Sequence, residues 1–310
     1  MAQPIIIVSE FMSEAAVDRL STVFPTTYDP GLVDRDADLQ AAVAGAQALI
    51  VRNRTQVTAT LLKAAAALKV VGRLGVGLDN IDLAACEAQG VAVRPATGAN
   101  ADAVAEYVIS AALQLLRGRA FFATEAVRAG DWPRAACQGG EMAGRCLGLL
   151  GFGDIARRVA RRALALGMTV VTHDPAVSAA EAEAAQARLL SFDGLLEAAD
   201  VLSLHVPLTD GTRGLLDSGT LARMKDDAIL INTARGGIVD ETALGEALRA
   251  ERLGGAALDV FAVEPLDAGA AAVFKDVPNL ILTPHIAGVT EESNERVSEM
   301  IADAVLEVLS

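Results

Sequence analysis

Three side chains suited to acid–base chemistry stand just beyond three successive predicted strands in the second half of the chain. They are Arg235, Glu264 and His285. An imidazole can take or return a proton, a carboxylate beside it fixes its tautomer, and a guanidinium can bind a carboxylate through two hydrogen bonds. Each residue alone would also fit a structural role, such as a surface ion pair. Because the carboxyl ends of parallel strands meet at one edge of a sheet, the trio predicts proton transfer on a small 2-hydroxy acid.

A glycine-containing turn earlier in the chain is typical of a dinucleotide site. Gly151, Phe152 and Gly153 follow the predicted strand 147–150 and open a helix. Gly151 would permit a tight turn, and Gly153 would let the backbone approach a pyrophosphate at the helix N-terminus. The third glycine of the usual pattern is replaced by Ala156. An ordinary packing turn is the alternative interpretation.

An acidic residue follows this turn at the spacing expected for a ribose ligand. Asp174 comes directly after the predicted strand 169–173 and 21 residues after Gly153. A carboxylate there accepts both ribose hydroxyls of NAD and would repel the 2′-phosphate of NADP. Asp174 could instead form a turn before Pro175. The order of strand, turn, helix, strand and acid nevertheless predicts NAD as the cofactor.

The elements that must position these residues are short β-branched runs that alternate with alanine-rich helical segments. We predict strands over residues 4–9, 48–51, 70–73, 91–94, 147–150, 169–173, 201–204, 228–232, 256–259 and 280–282. We predict helices over residues 58–67, 82–89, 155–166, 195–199 and 242–250, and a longer one from Ala101, with caps at Thr58, Asp82, Gly90 and Gly167. This alternation predicts an α/β protein whose parallel sheets are covered by helices.

Composition narrows the domain count. Of the 310 residues, 52% are hydrophobic, which is enough apolar material for two medium cores. The irregular stretch 129–145 separates four predicted strands from six later ones. Two α/β domains are therefore expected.

Charge, hydropathy and cysteine usage exclude several classes of partner. The net charge of −14 argues against a nucleic-acid surface. No apolar run approaches the roughly 18 residues of a membrane span, and the first eleven residues resemble a strand rather than a signal peptide. Cys86, Cys137 and Cys146 form no CxxC pattern and are interpreted as small apolar residues of a reducing compartment. We therefore predict a cytoplasmic protein with no metal site and no membrane or nucleic-acid partner.

Six longer motifs resemble those of the D-isomer-specific 2-hydroxyacid dehydrogenases, and of the phosphoglycerate dehydrogenase branch in particular. They occupy residues 71–82, 151–156, 205–209, 233–240, 257–261 and 283–288. The resemblance implies two Rossmann-like domains with doubly wound parallel sheets. A flavodoxin-like substrate domain of residues 1–98 and 285–310 would enclose an NAD-binding Rossmann domain of residues 99–284. It also implies a homodimer formed through the region 101–145 and a last helix, 291–309, packed on the N-terminal half.

The resemblance also implies a set of ligand contacts. Arg235 would bind the carboxylate and carbonyl, His285 would be the acid–base, and Glu264 its partner. The implied NAD contacts are Val76, Gly151, Phe152, Gly153, Asp154, Ile155, His173, Asp174, Pro175, His205, Val206, Pro207, Thr212, Thr233, Ala234, Arg235, Asp259, His285 and Gly288. The implied substrate contacts are Arg52, Asn53, Arg54, Arg73, Gly75, Val76 and Gly77.

Several arginines near the ends of early strands bear on the substrate. Arg52, Arg54 and Arg73 in an acidic chain suggest a second anionic group, a phosphate or sulfonate. Equally, one arginine could bind the single carboxylate while the others hold loops. The candidates are 3-phosphoglycerate, (S)-sulfolactate, and plain glyoxylate or hydroxypyruvate. Because a sulfonylmethyl group outranks carboxyl in the naming rules, (S)-sulfolactate has the spatial arrangement of a D-lactate.

Two further comparisons complete the expectations. The chain ends 25 residues after His285, so we expect no C-terminal regulatory domain of the kind that some phosphoglycerate dehydrogenases carry. A formate dehydrogenase would have glutamine at the position of Glu264 and is discounted. A dinucleotide-sensing corepressor, which resembles the same family and often keeps the catalytic trio, is the alternative from another functional class.

Overall fold

The computed structural model describes residues 5–310, without the side chain of Arg119. The chain divides into two compact units, one formed by residues up to Asn100 together with Val289–Ser310, the other by Ala101–Gly288. The chain returns to the first unit after Gly288, a few residues later than the expected boundary before residue 285. The reason is that Ile286 and Ala287 donate backbone hydrogen bonds to the carboxylate of Asp259, which keeps this turn in the second unit.

Twelve strands and twelve α-helices are described over residues 5–310. The strands are β1 (Ile6–Val8), β2 (Thr26–Tyr28), β3 (Ala48–Val51), β4 (Val70–Arg73), β5 (Ala92–Pro95), β6 (Cys146–Leu150), β7 (Thr169–His173), β8 (Arg188–Leu189), β9 (Val201–Leu204), β10 (Ile229–Asn232), β11 (Gly255–Leu258) and β12 (Leu280–Leu282). The helices are α1 (Glu14–Val23), α2 (Asp36–Val43), α3 (Ala59–Ala64), α4 (Leu83–Gln89), α5 (Ala101–Leu116), α6 (Thr124–Arg128), α7 (Asp154–Ala165), α8 (Ala179–Ala184), α9 (Phe192–Ala198), α10 (Ser218–Leu221), α11 (Glu241–Arg249) and α12 (Glu291–Leu309).

The first unit contains a five-stranded parallel sheet in the order β2-β1-β3-β4-β5. Successive residues of β1 alternate between faces, so that Ile6 packs in the cluster that includes α1 and α12, and Ile7 packs in the opposite cluster with α2 and α3. Ile301 of α12 belongs to the first cluster. Both faces of the sheet are therefore covered, which explains why its inner strands β1 and β3 are continuously apolar.

The second unit contains a seven-stranded parallel sheet in the order β12-β11-β10-β9-β6-β7-β8. One face packs against α5 and α7 through residues such as Val108 and Val159, and the other against α9 and α11 through Leu195 and Leu244. The strand order reverses between β1 and β3 in the first unit and between β6 and β9 in the second. These are the flavodoxin-like and Rossmann orders, so the expected α/β fold with two doubly wound sheets is confirmed.

The predicted caps agree with the structure, whereas two edge strands and the helices α1, α2, α6, α8 and α10 are not among the predicted elements. Thr58 and Asp82 cap α3 and α4 with their side chains, and Gly90 and Gly167 adopt positive φ at helix ends. The edge strands β2 and β8 were not predicted, because both are very short and only partly buried. Pro4, the first residue of the first predicted strand, lies outside the described residues. Over residues 5–310, none of the helices combines the length and the apolar content that crossing a bilayer requires.

Candidate active site

Two of the three predicted catalytic side chains are in direct contact in the second unit. His285 Nδ1 lies 2.7 Å from Glu264 Oε2, and Glu264 Oε1 accepts a 2.9 Å hydrogen bond from the backbone N–H of Phe261. Burial by itself would raise the pKa of Glu264, but the hydrogen bonds from His285 and Phe261 outweigh it and lower that pKa below its usual value. A proton on Nδ1 of His285 can be donated to this carboxylate, and in that tautomer Nε2 is available as a proton acceptor.

The loop after β10 brings Arg235 to the same edge of the sheet. Asn232, a buried residue at the end of β10, accepts from Ala234 N–H at 3.0 Å and donates to the Arg235 carbonyl at 2.9 Å. Gly236 lies against the loop that carries Glu264, because a Cβ on Gly236 would stand 1.7 Å from the carbonyl oxygen of Phe261. The charge of Arg235 also contributes to the lowered pKa of Glu264. The structure thus brings the predicted trio together, and Asn232, which sequence reasoning missed, shapes the arginine loop.

The turn that carries His285 is built on Asp259. His285 adopts φ +55°, the left-handed region, and its backbone N–H donates to the Asp259 carbonyl at 2.8 Å. Ile286 and Ala287 donate to the buried Asp259 carboxylate, each at 2.8 Å. Because three consecutive backbone donors end on one residue, the direction of the histidine side chain is fixed by Asp259.

A hydroxyl chain continues from Asp259 into α5. Thr283 Oγ1 donates to Asp259 at 2.6 Å, and the Tyr107 hydroxyl lies 2.6 Å from Thr283 Oγ1. Burial raises the pKa of Tyr107, so its hydroxyl keeps its proton. Tyr107 was not predicted, since an aromatic residue within an apolar helix looks like an ordinary core residue.

The glycine turn lies at the reversal of strand order in the second unit. Gly151 adopts φ +90°, and a Cβ there would stand 2.6 Å from the carbonyl oxygen of His205, which follows β9. The ring of Phe152 is buried, so this predicted cofactor residue does not present its side chain to a ligand. Its N–H donates to Asp174 Oδ2 at 2.8 Å, and Ala176 N–H donates to Oδ1 at 2.8 Å. The predicted ribose acid is therefore held beside the turn with lone pairs left for further donors.

Three observations fit this edge to a dinucleotide. A Cβ on Gly153 would meet nothing within 4 Å, so the space above the turn is open to a ligand. The twelve-residue helix α7 begins at Asp154 and directs its first N–H groups to that space. Thr233 Oγ1 is buried and has no hydrogen-bond partner among residues 5–310, as expected of a group that bonds to a bound molecule.

The other predicted cofactor residues lie in the second unit, apart from Val76. His205 is hydrogen-bonded through Nε2 to Ser203 Oγ at 2.9 Å, and burial lowers its pKa to about 4. His173 Nδ1 lies 2.9 Å from the Leu190 carbonyl, which turns its ring toward β8. The remaining members follow strands of the second sheet or begin α7; they are Ile155, Pro175, Val206, Pro207, Thr212, Ala234 and Gly288. Val76 belongs to the first unit instead.

In the first unit, the predicted substrate residues follow β3 and β4. Arg52 Nη2 donates to Asn294 Oδ1 at 2.6 Å, and its guanidinium lies 5.7 Å from the ring centroid of Phe11. Burial lowers the pKa of Arg52 from its usual value. Arg54, by contrast, forms an exposed ion pair with Asp34.

Arg73 lies under the loop that contains Gly75, Val76 and Gly77. Its Nη1 donates to the Leu74 carbonyl at 3.0 Å and would stand 1.6 Å from a Cβ on Gly75. The structure therefore gives the arginines separate partners, and Asn53 lies in the exposed turn between Arg52 and Arg54.

Comparison with known proteins decides the family. Residues 109–287 match the model described as the D-isomer specific 2-hydroxyacid dehydrogenase, NAD binding domain. The chain belongs to the D-isomer-specific 2-hydroxyacid dehydrogenases. The predicted resemblance is thereby confirmed, and this dehydrogenase is an NAD-dependent oxidoreductase that acts on the CH–OH group of a small 2-hydroxy acid.

Three relatives illustrate the range of the family. The dehydrogenase is 54% identical to an (S)-sulfolactate dehydrogenase of Chromohalobacter salexigens, over 98% of each chain. It is 41% identical to the chloroplastic D-3-phosphoglycerate dehydrogenase 2 of Arabidopsis thaliana, over 98% of this chain but 48% of that protein. Among solved structures, the TT0316 protein of Thermus thermophilus has a TM-score of 0.90 at 36% identity, with 98% and 96% of the two chains covered.

Proposed function

We propose that the dehydrogenase interconverts (S)-sulfolactate and 3-sulfopyruvate. The observation that carries this proposal is the 54% identity, over 98% of both chains, to a protein named for that activity. The contacts of Arg52 support it, because its guanidinium is half-buried and is held by Asn294 and Phe11. Arg52 follows β3, next to the reversal of strand order in the first sheet. A held, partly desolvated guanidinium suits a sulfonate, which is a weakly hydrated, tridentate acceptor.

The residues of the second unit would do the following. Arg235 binds the substrate carboxylate and the oxygen on C2, while His285 takes the hydroxyl proton at Nε2 during oxidation and returns it during reduction. Glu264 keeps the imidazole in the tautomer that exposes Nε2 as an acceptor, given the 2.7 Å contact at Nδ1. Asp174, the Gly151–Gly153 turn and Thr233 would hold NAD, which when bound accepts or supplies the hydride at C2.

A second candidate substrate is 3-phosphoglycerate, which carries its second anion at the corresponding carbon. It is favoured by the 41% identity to a phosphoglycerate dehydrogenase. That protein is about twice as long as the stretch that matches, whereas the sulfolactate dehydrogenase matches over 98% of its length. Sulfolactate is therefore the first choice.

We also propose a homodimer. Phe121, Phe122 and Trp132 are 60%, 68% and 75% exposed, within the region 101–145 where a dimer is expected. Large exposed aromatic side chains are typical of a surface that another protein covers. The cytoplasmic location and the lack of nucleic-acid or membrane partners stay predictions from composition.

The substrate proposal is tested by following NADH oxidation with a matched set of 2-keto acids. Purified dehydrogenase is assayed with 3-sulfopyruvate, 3-phosphohydroxypyruvate, hydroxypyruvate and glyoxylate. We expect kcat/KM to be highest for 3-sulfopyruvate and at least about tenfold lower for glyoxylate, which lacks the second anion. Equal values for all four acids would contradict the proposal, and a maximum for the phosphate compound would favour the second candidate.

A further inference from the structure

A buried carboxylate stands under the loop that carries Arg52. Glu10 follows β1 and is 5% exposed. The loop of residues 52–55 follows β3, the neighbour of β1 at the point where the strand order reverses. In doubly wound sheets this is the edge at which ligands bind.

Both oxygens of Glu10 are committed to the backbone of this loop. Oε1 accepts from the N–H groups of Arg52 at 2.8 Å and Thr55 at 2.9 Å, and Oε2 accepts from Arg54 N–H at 3.1 Å. An unpaired buried carboxylate would be strongly unfavourable, and these charge-assisted bonds remove that cost. The conformation of this loop therefore depends on the two carboxylate oxygens of Glu10.

Asn80 completes the support from the other side of the loop. This buried amide donates through Nδ2 to the carbonyls of Thr55 at 2.7 Å and Arg52 at 3.2 Å. Three backbone N–H groups of the loop thus donate to Glu10, and two of its carbonyls accept from Asn80. The backbone from which the Arg52 side chain leaves is held on both sides.

The Arg52 side chain is then oriented by its own contacts. Nη2 is bound to Asn294 of α12, and Phe11 lies near the guanidinium face. Within the part of the chain that the structure describes, Nε and Nη1 of Arg52 form no hydrogen bond. One edge of the guanidinium is therefore left for an external acceptor such as a sulfonate.

We propose that Glu10 is a positioning residue for recognition of the second anion of the substrate. It acts only through the backbone of residues 52–55, by presenting Arg52, and it does not touch substrate itself. The proposal rests on the proposed function, since it assigns the second anion to Arg52. A carboxylate is required because three N–H donors converge on two oxygens, whereas an amide would turn an NH₂ group toward at least one of them.

The test is the effect of Glu10→Gln on substrate discrimination. We expect KM for 3-sulfopyruvate to rise about tenfold with kcat nearly unchanged, while kcat/KM for glyoxylate changes by less than about twofold. Glu14→Gln, which removes the same charge from an exposed position in α1, should change neither value. A loss that is equal for both substrates would show a general structural role and overturn the proposal.

A double-mutant cycle separates this proposal from the proposed function. If Glu10 acts through Arg52, Glu10→Gln should add nothing to the discrimination lost in Arg52→Ala. Selective loss in Arg52→Ala without any in Glu10→Gln would overturn the role of Glu10 alone, and so would additive losses. Equal loss on both substrates in Arg52→Ala would overturn the assignment of the second anion itself.

Glu10→Asp keeps the charge and is measured in parallel. Its shorter side chain reaches fewer of the three N–H groups, so we expect a smaller but still selective rise in KM for 3-sulfopyruvate. If Glu10→Gln does not fold, this variant decides: an equal change for 3-sulfopyruvate and glyoxylate would contradict the role of Glu10.

Discussion

Replacing Asp174 by alanine should change which dinucleotide the dehydrogenase uses. In the structure each carboxylate oxygen accepts one backbone N–H, from Phe152 and Ala176, at 2.8 Å. The remaining lone pairs are free to accept the two ribose hydroxyls of NAD. A hydrogen bond to a charged group contributes about 1.5–3 kcal/mol, and the lower value applies at this partly exposed position. Losing two such bonds gives about 3 kcal/mol, or about 100-fold in kcat/KM for NADH.

The same change should leave kcat/KM for NADPH unchanged or raise it, because the carboxylate no longer repels the 2′-phosphate. The assay compares kcat/KM for NADH and NADPH at saturating keto acid, and the ratio of the two should fall by about two orders of magnitude. Asp174→Asn is the control, since it keeps an acceptor beside the turn but removes the charge. A ratio of kcat/KM values that does not change in Asp174→Ala would refute the ribose role.

Three further predictions concern residues of the second unit. Tyr107→Phe should lower the free energy of unfolding by about 1 kcal/mol, because the hydrogen bond between the Tyr107 and Thr283 hydroxyls is lost, and equal unfolding midpoints in denaturant would contradict this. Because the His205 pKa of about 4 lies below the value of 6.5 for a free histidine, the unfolded chain takes up a proton first as pH falls. The free energy of unfolding should therefore decline from pH 6.5 toward pH 4 by up to about 1.4 kcal/mol per pH unit. The decline should be less steep in His205→Gln. Parallel plots of unfolding free energy against pH for the two proteins would be inconsistent with a buried neutral imidazole. Trp132→Glu should shift the dehydrogenase from dimer to monomer in light scattering, and a monomeric native protein would refute the dimer.

Much of the fold could be predicted from the sequence, because both sheets are parallel and buried on both faces. Such strands are continuous apolar runs, and ten of the twelve were found from that pattern. Thr26–Tyr28 and Arg188–Leu189 were missed, because an edge strand of two or three half-exposed residues leaves no periodic signal. The register and the reversals of strand order could be expected only through the family resemblance.

The residues of the candidate site could be predicted where reactive side chains follow strands. Arg235, Glu264 and His285 were predicted from residue type and position, and the structure places all three after strands of the second sheet; their catalytic roles stay predictions. The support of the Arg52 loop was not recognised, since Glu10 and Arg52 are 42 residues apart and no local pattern links them. The left-handed φ of His285 was also invisible in the sequence, because it depends on backbone bonds to Asp259.

The arginines show what residue type could not predict. Their number in an acidic chain suggested a shared anion site, yet the structure pairs Arg54 with Asp34 and directs Arg73 toward the Leu74 carbonyl. Residue type predicted the charges but not their partners, because Asp34 is 20 residues from Arg54 and Asn294 is 242 residues from Arg52. Of these arginines, Arg52 is the one for which we propose contact with the substrate anion.

The most direct test of the account is the turnover of His285→Asn. Asparagine tolerates the left-handed conformation that His285 adopts, so the turn built on Asp259 should persist, and only the proton acceptor is removed. We predict that kcat falls by at least about 100-fold while the NADH dissociation constant, measured by fluorescence titration, changes by less than about threefold. Near-normal turnover in this variant would contradict the assignment of His285 as the acid–base of the dehydrogenase.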